Sequence, residues 1–167
     1  PGVKIFFEKD VSIISEGSII FNGTRDKPIT IYSSKGFGSL IFSNNDYKFS
    51  NVIFKNLSYP KDKNKILYAG VNIINSNVEI VDSQIISSNS EDGINLISST
   101  SNIQNLKVQD IQSDAIDIDF GTLNFSNIIC KDISNDCLDI SGAKVAGKYI
   151  EGYNIQDKGL SFGENAV

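Results

Sequence analysis

Gly93-Ile94-Asn95-Leu96, Ala115-Ile116-Asp117-Ile118, Cys137-Leu138-Asp139-Ile140 and Gly159-Leu160-Ser161-Phe162 begin at a constant step of 22 residues. A fifth copy, Gly70-Val71-Asn72-Ile73, lies 23 residues before the first. A fixed step of this size marks a stacked repeat, in which each unit buries its apolar face only against its neighbours. Within one unit the apolar residues alternate, as strands require. Ile116 and Ile118 point one way, Asp117 and Asp119 the other. Leu123 and Phe125 form a second burst, and Asn127 to Ile133 a third. The third recurs as Asn105 to Ile111, with an earlier relative at Asn51 to Leu57.

Three short strands per 22 residues leave no room for a helix of ordinary length. The expected fold is all-β: a right-handed, single-stranded parallel β-helix solenoid of about 22 residues per coil. Leucine-rich repeats need a regular Leu-x-x-Leu-x-Leu frame, which is missing. A β-sandwich gives no reason for a fixed register. Equivalent residues should stack about 4.8 Å apart, so roughly seven coils make a rod about 35 Å long.

Working outward, residues 70–167 are the regular coils and residues 1–69 a less regular start to one domain spanning 1–167. Strands are expected over 3–7, 11–14, 18–21, 28–32 and 37–42. Residues 58–65 are polar and charged and read as a solvated loop thrown out of one coil. The chain opens Pro1-Gly2, contains no Met and carries no cleavable leader, and a further repeat begins at Gly159. It therefore reads as a piece of a longer protein.

The composition, 40% hydrophobic and 21% charged, is that of a folded domain. Net charge is −5 with Arg25 the single arginine, which argues against nucleic-acid binding. No apolar run approaches the ~18–20 residues of a membrane span. With no histidine, a Ser-His-Asp or Cys-His site cannot be built. Cys130 falls in the column of Val108 and Ile86, and Cys137 in that of Gly70, Gly93, Ala115 and Gly159. Both columns call for small or apolar residues, so two buried free thiols are expected in preference to a disulfide. Phe120, Phe125 and Phe162 are expected in the core; Tyr149 and Tyr153, each near a glycine, are candidates for exposure and for a glycan-binding strip.

Residues 114–120 (Asp-Ala-Ile-Asp-Ile-Asp-Phe), 135–142 (Asn-Asp-Cys-Leu-Asp-Ile-Ser-Gly) and 157–164 (Asp-Lys-Gly-Leu-Ser-Phe-Gly-Glu), set on this coil, resemble the right-handed parallel β-helices of the pectate-lyase-like superfamily. More narrowly, they and the opening strands are similar to β-helix regions attached to bacterial proteins of the spore-coat-H kinase type. The resemblance covers nearly the whole chain. It implies a secreted or cell-surface bacterial protein with flanking domains. The superfold hosts lyases, hydrolases, epimerases, adhesins and inert stalks, so it does not by itself assign an activity. The kinase motifs of the neighbouring domain are absent here.

The residues most suited to chemistry are acidic. Asp114, Asp117 and Asp119 belong to one coil, Asp136 and Asp139 to the next; Asp92 and Asn95 continue the columns on one side, Lys158, Ser161 and Glu164 on the other. In register, Asp117 lies over Asp139 and Asp114 over Asp136, and carboxylates so placed repel by about 1 kcal/mol in water and by more when desolvated. Asp92, Asp114 and Asp136 precede a small residue and a strand, the setting in which Asp caps a turn. Asp117, Asp119 and Asp139 alternate with apolar residues and should face outward. Oxygen ligands in this number suit Ca²⁺, so the five aspartates of the two coils form a candidate Ca²⁺ site.

The resemblance also implies an enzyme alternative. β-Helix polysaccharide lyases use Ca²⁺ to neutralise a uronate carboxylate and a Lys or Arg to take a proton, a role open to Lys158. A hydrolase would use two carboxylates, Asp117 and Asp139. The arginines of pectate lyase sites and the His and Arg motifs of polygalacturonase-like hydrolases are missing, and Lys158 serves equally as a countercharge. The first reading is therefore a non-catalytic scaffold or binding domain, taking Ca²⁺ or an acidic or neutral polysaccharide. A Ca²⁺-dependent lyase or glycoside hydrolase is second, and a stalk assembling end to end is third.

Overall fold

A computed structural model describes residues 1–61 and 66–167. Among these residues run sixteen strands: β1 (Lys4–Phe7), β2 (Ser12–Ser15), β3 (Ile19–Asn22), β4 (Ile29–Ser33), β5 (Ser39–Ser43), β6 (Asp46–Ser50), β7 (Val52–Lys55) and β8 (Ala69–Ile74). They continue with β9 (Asn77–Ser88), β10 (Asp92–Ile97), β11 (Thr100–Ile111), β12 (Ile116–Asp119), β13 (Thr122–Ile133), β14 (Leu138–Ser141), β15 (Lys144–Ile155) and β16 (Leu160–Phe162). Every strand pairing is parallel, and the chain winds as a β-solenoid of about seven turns. One sheet, here sheet B, runs β2-β5-β8-β10-β12-β14-β16; the other, sheet A, holds the remaining nine strands. Among the described residues no helix is long and apolar enough to cross a membrane.

The three bursts per coil are real. β9, β11, β13 and β15 each bend at their sixth residue (Asp82, Asn105, Asn127 and Tyr149), where φ turns positive. Each thus supplies two limbs, which in the early turns are separate strands, such as β6 and β7 around Asn51. A second left-handed column holds Asn56, Ser87, Asp110, Asp132 and Asn154, and a third Asn44, Asn75, Ser98, Phe120 and Gly142. Asn and Asp tolerate this conformation because their short polar side chains bond locally. Here they also bond between turns: Asn105 Nδ2 donates to Asp82 Oδ1 at 2.7 Å, Asn127 Nδ2 to Asn105 Oδ1 at 3.1 Å, and Asn154 Nδ2 to Asp132 Oδ1 at 2.8 Å.

Inward files fill the solenoid. Val71, Ile94, Ile116, Leu138 and Leu160 stand in one register line, the first four fully buried. Each such side chain contributes about 1.5–3 kcal/mol by leaving water. The early turns are filled by rings: Phe49 lies 5.5 Å from Phe21, 5.2 Å from Phe42 and 5.7 Å from Phe54 between centroids.

Several expectations need correction. β6 was not foreseen, although Tyr47 and Phe49 are its buried alternate residues. Val108 pairs in register with Ile85, not Ile86, because the step to the preceding coil is 23 residues. Cys130 and Cys137 are not free; they form a disulfide with Cα atoms 5.7 Å apart. Both are fully buried, as their columns demand, but the corner between the second limb of β13 and β14 folds the two columns face to face. Phe125 packs on the core, whereas Phe120 sits in a corner column and is 71% exposed. Phe162 continues the inward file of Ile118 and Ile140 yet is 62% exposed on the last turn. Tyr149 and Tyr153 are exposed. The loop expected over 58–65 lies partly at 62–65, outside the described residues.

Candidate functional site: the acidic face of sheet B

Sheet B changes character along the solenoid. In β5, β8 and β10 inward and outward residues alike are buried, while in β12 and β14 burial alternates. Described residues on either side of 62–65, between β7 and β8, lie against the covered portion. Ser58, Pro60 and Leu67 are buried, Ser58 N–H donates to Gly38 O at 2.9 Å, and Asp92 N–H donates to Tyr68 O at 3.2 Å. Lys61 pairs with Asp10 at 3.1 Å. One outward file runs Ile41, Asn72, Asn95, Asp117, Asp139, Ser161. It passes from apolar through amide to carboxylate as the cover ends.

The turn column behaves as capping predicts. Asp136 N–H donates to Asp114 Oδ1 at 2.8 Å, and Lys158 N–H donates to Asp136 Oδ1 at 2.8 Å. Asn135 Nδ2 adds a bond to Asp114 Oδ1 at 2.8 Å. Asp92, Asp114 and Asp136 are all buried, and each carboxylate satisfies the backbone one turn on or bears on it.

On the outward file Asp117 stands opposite Asp139 and accepts Asn95 Nδ2 at 2.9 Å on Oδ2. Asp139 Oδ1 accepts its neighbour's Ile140 N–H at 2.9 Å. Asp119 is on the same face, opposite Ser141. Burial, then the charges of Asp117, Asp114 and Glu91, push the Asp92 carboxyl up to about 8, against the Asp114 N–H. Burial, then Asp119, Asp139, Asp114 and Glu91, push Asp117 up to about 7. Asp114 is raised by burial despite the Asp136 N–H and Asn135 amide, and Asp119 by burial and Asp139. Such a face favours uptake of positive charge near neutral pH.

Sequence reasoning found Asp114, Asp117, Asp119 and Asp139, which the fold brings onto one electrostatic patch. It placed Asp92 at one side of the acidic columns and read it as a cap, and did not single out Glu91. Their signal was position: Asp92 heads the same column one coil earlier, with Glu91 beside it. Asp136 is drawn towards Lys158, whose Nζ lies 3.7 Å from Asp136 Oδ1 and is bonded to Asp157. Those contacts, Asp157 first, raise the Lys158 amine, which keeps its proton and suits a countercharge better than a base. Among the described residues no three His, Cys, Asp or Glu side chains are grouped so as to hold a metal ion between them. Asn72 Oδ1 and Asn95 Oδ1 are buried with no hydrogen-bond partner among the described residues.

No family model matches this chain, and no curated protein matches it.

Proposed function

We propose that this chain is a non-catalytic β-helix platform of a secreted or surface bacterial protein, binding through its polar sheet faces. The observation that carries the reading is the outward acidic face of β12 and β14. There, partly desolvated carboxyls sit in register on a scaffold whose corners are locked between turns. A rigid sheet that keeps like charges together, with Lys158 held protonated as a countercharge, suits binding of cations or cationic groups better than proton transfer. The buried disulfide supports an oxidising compartment, as expected of an exported protein. The resemblance to pectate-lyase-like β-helices, and to those attached to spore-coat-H-type proteins, points the same way.

The test is a thermal melt at pH 8 with and without millimolar Ca²⁺. A rise in Tm that Asp117→Asn abolishes supports the acidic face as a cation seat; a melt indifferent to Ca²⁺ and chelator removes it. A glycoside hydrolase using Asp117 and Asp139 is the second reading, favoured by two carboxyls in register with one raised to about 7. Release of reducing ends from acidic or neutral glycans, lost in Asp117→Asn and Asp139→Asn, would replace the platform reading. Release of an unsaturated uronate product would do the same in favour of a lyase.

A further inference from the structure

One file of sheet B breaks a rule that the stacked asparagines elsewhere keep. Along the corners each amide donates back to the turn before: Asn75 Nδ2 to Asn44 Oδ1 at 2.9 Å, Asn127 Nδ2 to Asn105 Oδ1 at 3.1 Å. Donor thus meets acceptor at every step. In the outward file of Asn72, Asn95 and Asp117 the direction reverses. Asn72 Nδ2 faces back, donating to Leu40 O at 3.2 Å and Ala69 O at 2.7 Å, whereas Asn95 Nδ2 faces forward to Asp117 Oδ2 at 2.9 Å. The two asparagines are register partners one turn apart, about 4.8 Å. An amide carries its oxygen and nitrogen on opposite sides of one carbon, so both Oδ1 atoms turn towards the interval between β8 and β10. Both residues are buried, and among the described residues neither oxygen has a hydrogen-bond partner. Two buried acceptors facing each other are unfavourable unless a donor or a positive charge lies between them.

The neighbourhood is acidic and short of countercharge. Asp92 opens β10, the strand of Asn95, and the charges of Asp117, Asp114 and Glu91 all bear on it. Among the described residues the lysine ion pairs fall elsewhere, on Asp10, Glu79, Asp132, Asp136 and Asp157. A water molecule satisfies two acceptors but leaves that charge unanswered. A divalent ion calls for several converging carboxylates, and no three acidic side chains are grouped to hold one among the described residues. Neutral carbonyl oxygens beside carboxyls suit a monovalent cation, which such oxygens hold by replacing its hydration shell.

We propose that Asn72 Oδ1 and Asn95 Oδ1 seat a monovalent cation, Na⁺ or K⁺, between β8 and β10, with Asp117 one turn further along the file as its countercharge. The seat is distinct from the Ca²⁺ site expected on Asp114, Asp117, Asp119, Asp136 and Asp139, since its ligating oxygens are amide carbonyls under the cover. The inference rests on the platform reading for the acidic face and deepens it with an ion class and a place. An ion there ties β8 to β10 where the hydrogen-bonded ladder of side chains is interrupted, and it offsets the like charges beside it.

Thermal melts at constant ionic strength in NaCl, KCl or choline chloride, with chelator present, test the seat. The favoured ion at about ten times its dissociation constant should raise Tm by about 3–6 °C over choline, and the better of the two salts identifies it. Asn72→Leu and, separately, Asn95→Leu should abolish that rise, each variant being compared with itself in choline so that lost stability does not mask the result. Asn124→Ala on sheet A should keep the rise. Should the leucine variants fail to fold, thallium NMR of the intact chain decides: a bound Tl⁺ signal displaced by NaCl or KCl is expected. Equal melts in the three salts would mean that only water fills the interval and would overturn the proposal. A rise that survives in both leucine variants, or the absence of a displaceable Tl⁺ signal, would do the same. A melt shifted by Ca²⁺ in the intact chain but not in Asp117→Asn, with no effect of Na⁺ or K⁺, would leave the platform reading standing while this inference fell. Indifference to all three ions would remove both.

Discussion

The same outward file of sheet B has two environments. At Asn72 and Asn95 it is closed over, and at Asp117 and Asp139 it opens to solvent. Inward, the two regions are alike, with Val71, Ile94, Ile116 and Leu138 equally buried in one line. The inward pattern thus fixes register, while the outward residue answers to whatever covers it. Under cover the amide is the polar group tolerated, and at the edge of the cover burial raises the proton affinity of the Asp117 carboxyl.

The largest effect should come from carrying the open face's chemistry under the cover. Asn95→Asp removes the donor to Asp117 and adds a buried charge, costing on the order of 3 kcal/mol at pH 8. At about 2–4 °C per kcal/mol for a domain of this size, Tm should fall by about 6–12 °C. Ser161→Asp, in the same file at the open end, should cost less than about 1 kcal/mol. Equal losses in calorimetry would break the distinction.

Removing the disulfide probes the open-faced turns by a different route. Cys130→Ala/Cys137→Ala releases a short loop and should cost about 2.5 kcal/mol by chain entropy. A melt matching the wild type under oxidising conditions would show that stacking alone holds that corner.

The covered edge should also set the pH dependence. Asp92 and Asp117 bind protons more tightly folded, at about 8 and about 7, than an ordinary aspartate does at 3.8. Between these values the folded state holds protons the unfolded chain has released. Stability from these groups is therefore full below about pH 4 and is lost as pH rises through 7 to 8. Asp92→Asn should gain on the order of 2 kcal/mol at pH 8 and almost nothing at pH 4. Urea titrations at the two pH values measure the difference, and a gain independent of pH would sink the electrostatic account.

The smallest effect concerns the corners. Tyr149→Asn places a left-handed-tolerant residue in the column of Asn105 and Asn127 and should stabilise by about 0.5–1 kcal/mol. A loss instead would mean that the ring contributes packing not evident from its exposure.

The regular coils were legible because their step is constant and their alternation clean. Ile94, Ile116, Leu138 and Leu160 stand where repetition puts them. The acidic columns followed from the same register, including the capping by Asp114 and Asp136. What periodicity leaves out is proximity across a corner. Cys130 and Cys137 occupy separate apolar columns, and only the bend between strands brings them together. Phe120 was misread because aromatic character signals a core, while its left-handed corner turns it outward. Cover was illegible too: a polar stretch after β7 gave no sign that Ser58, Pro60 and Leu67 would be buried.

The chain joining β7 to β8 lengthens one turn without disturbing those beside it. Phe54 still pairs with Ile85 and Leu40 with Val71, so the strands on either side of this connection keep their register. Alignment of the turns is therefore held by the stacked strands themselves and does not depend on every connection having the same length.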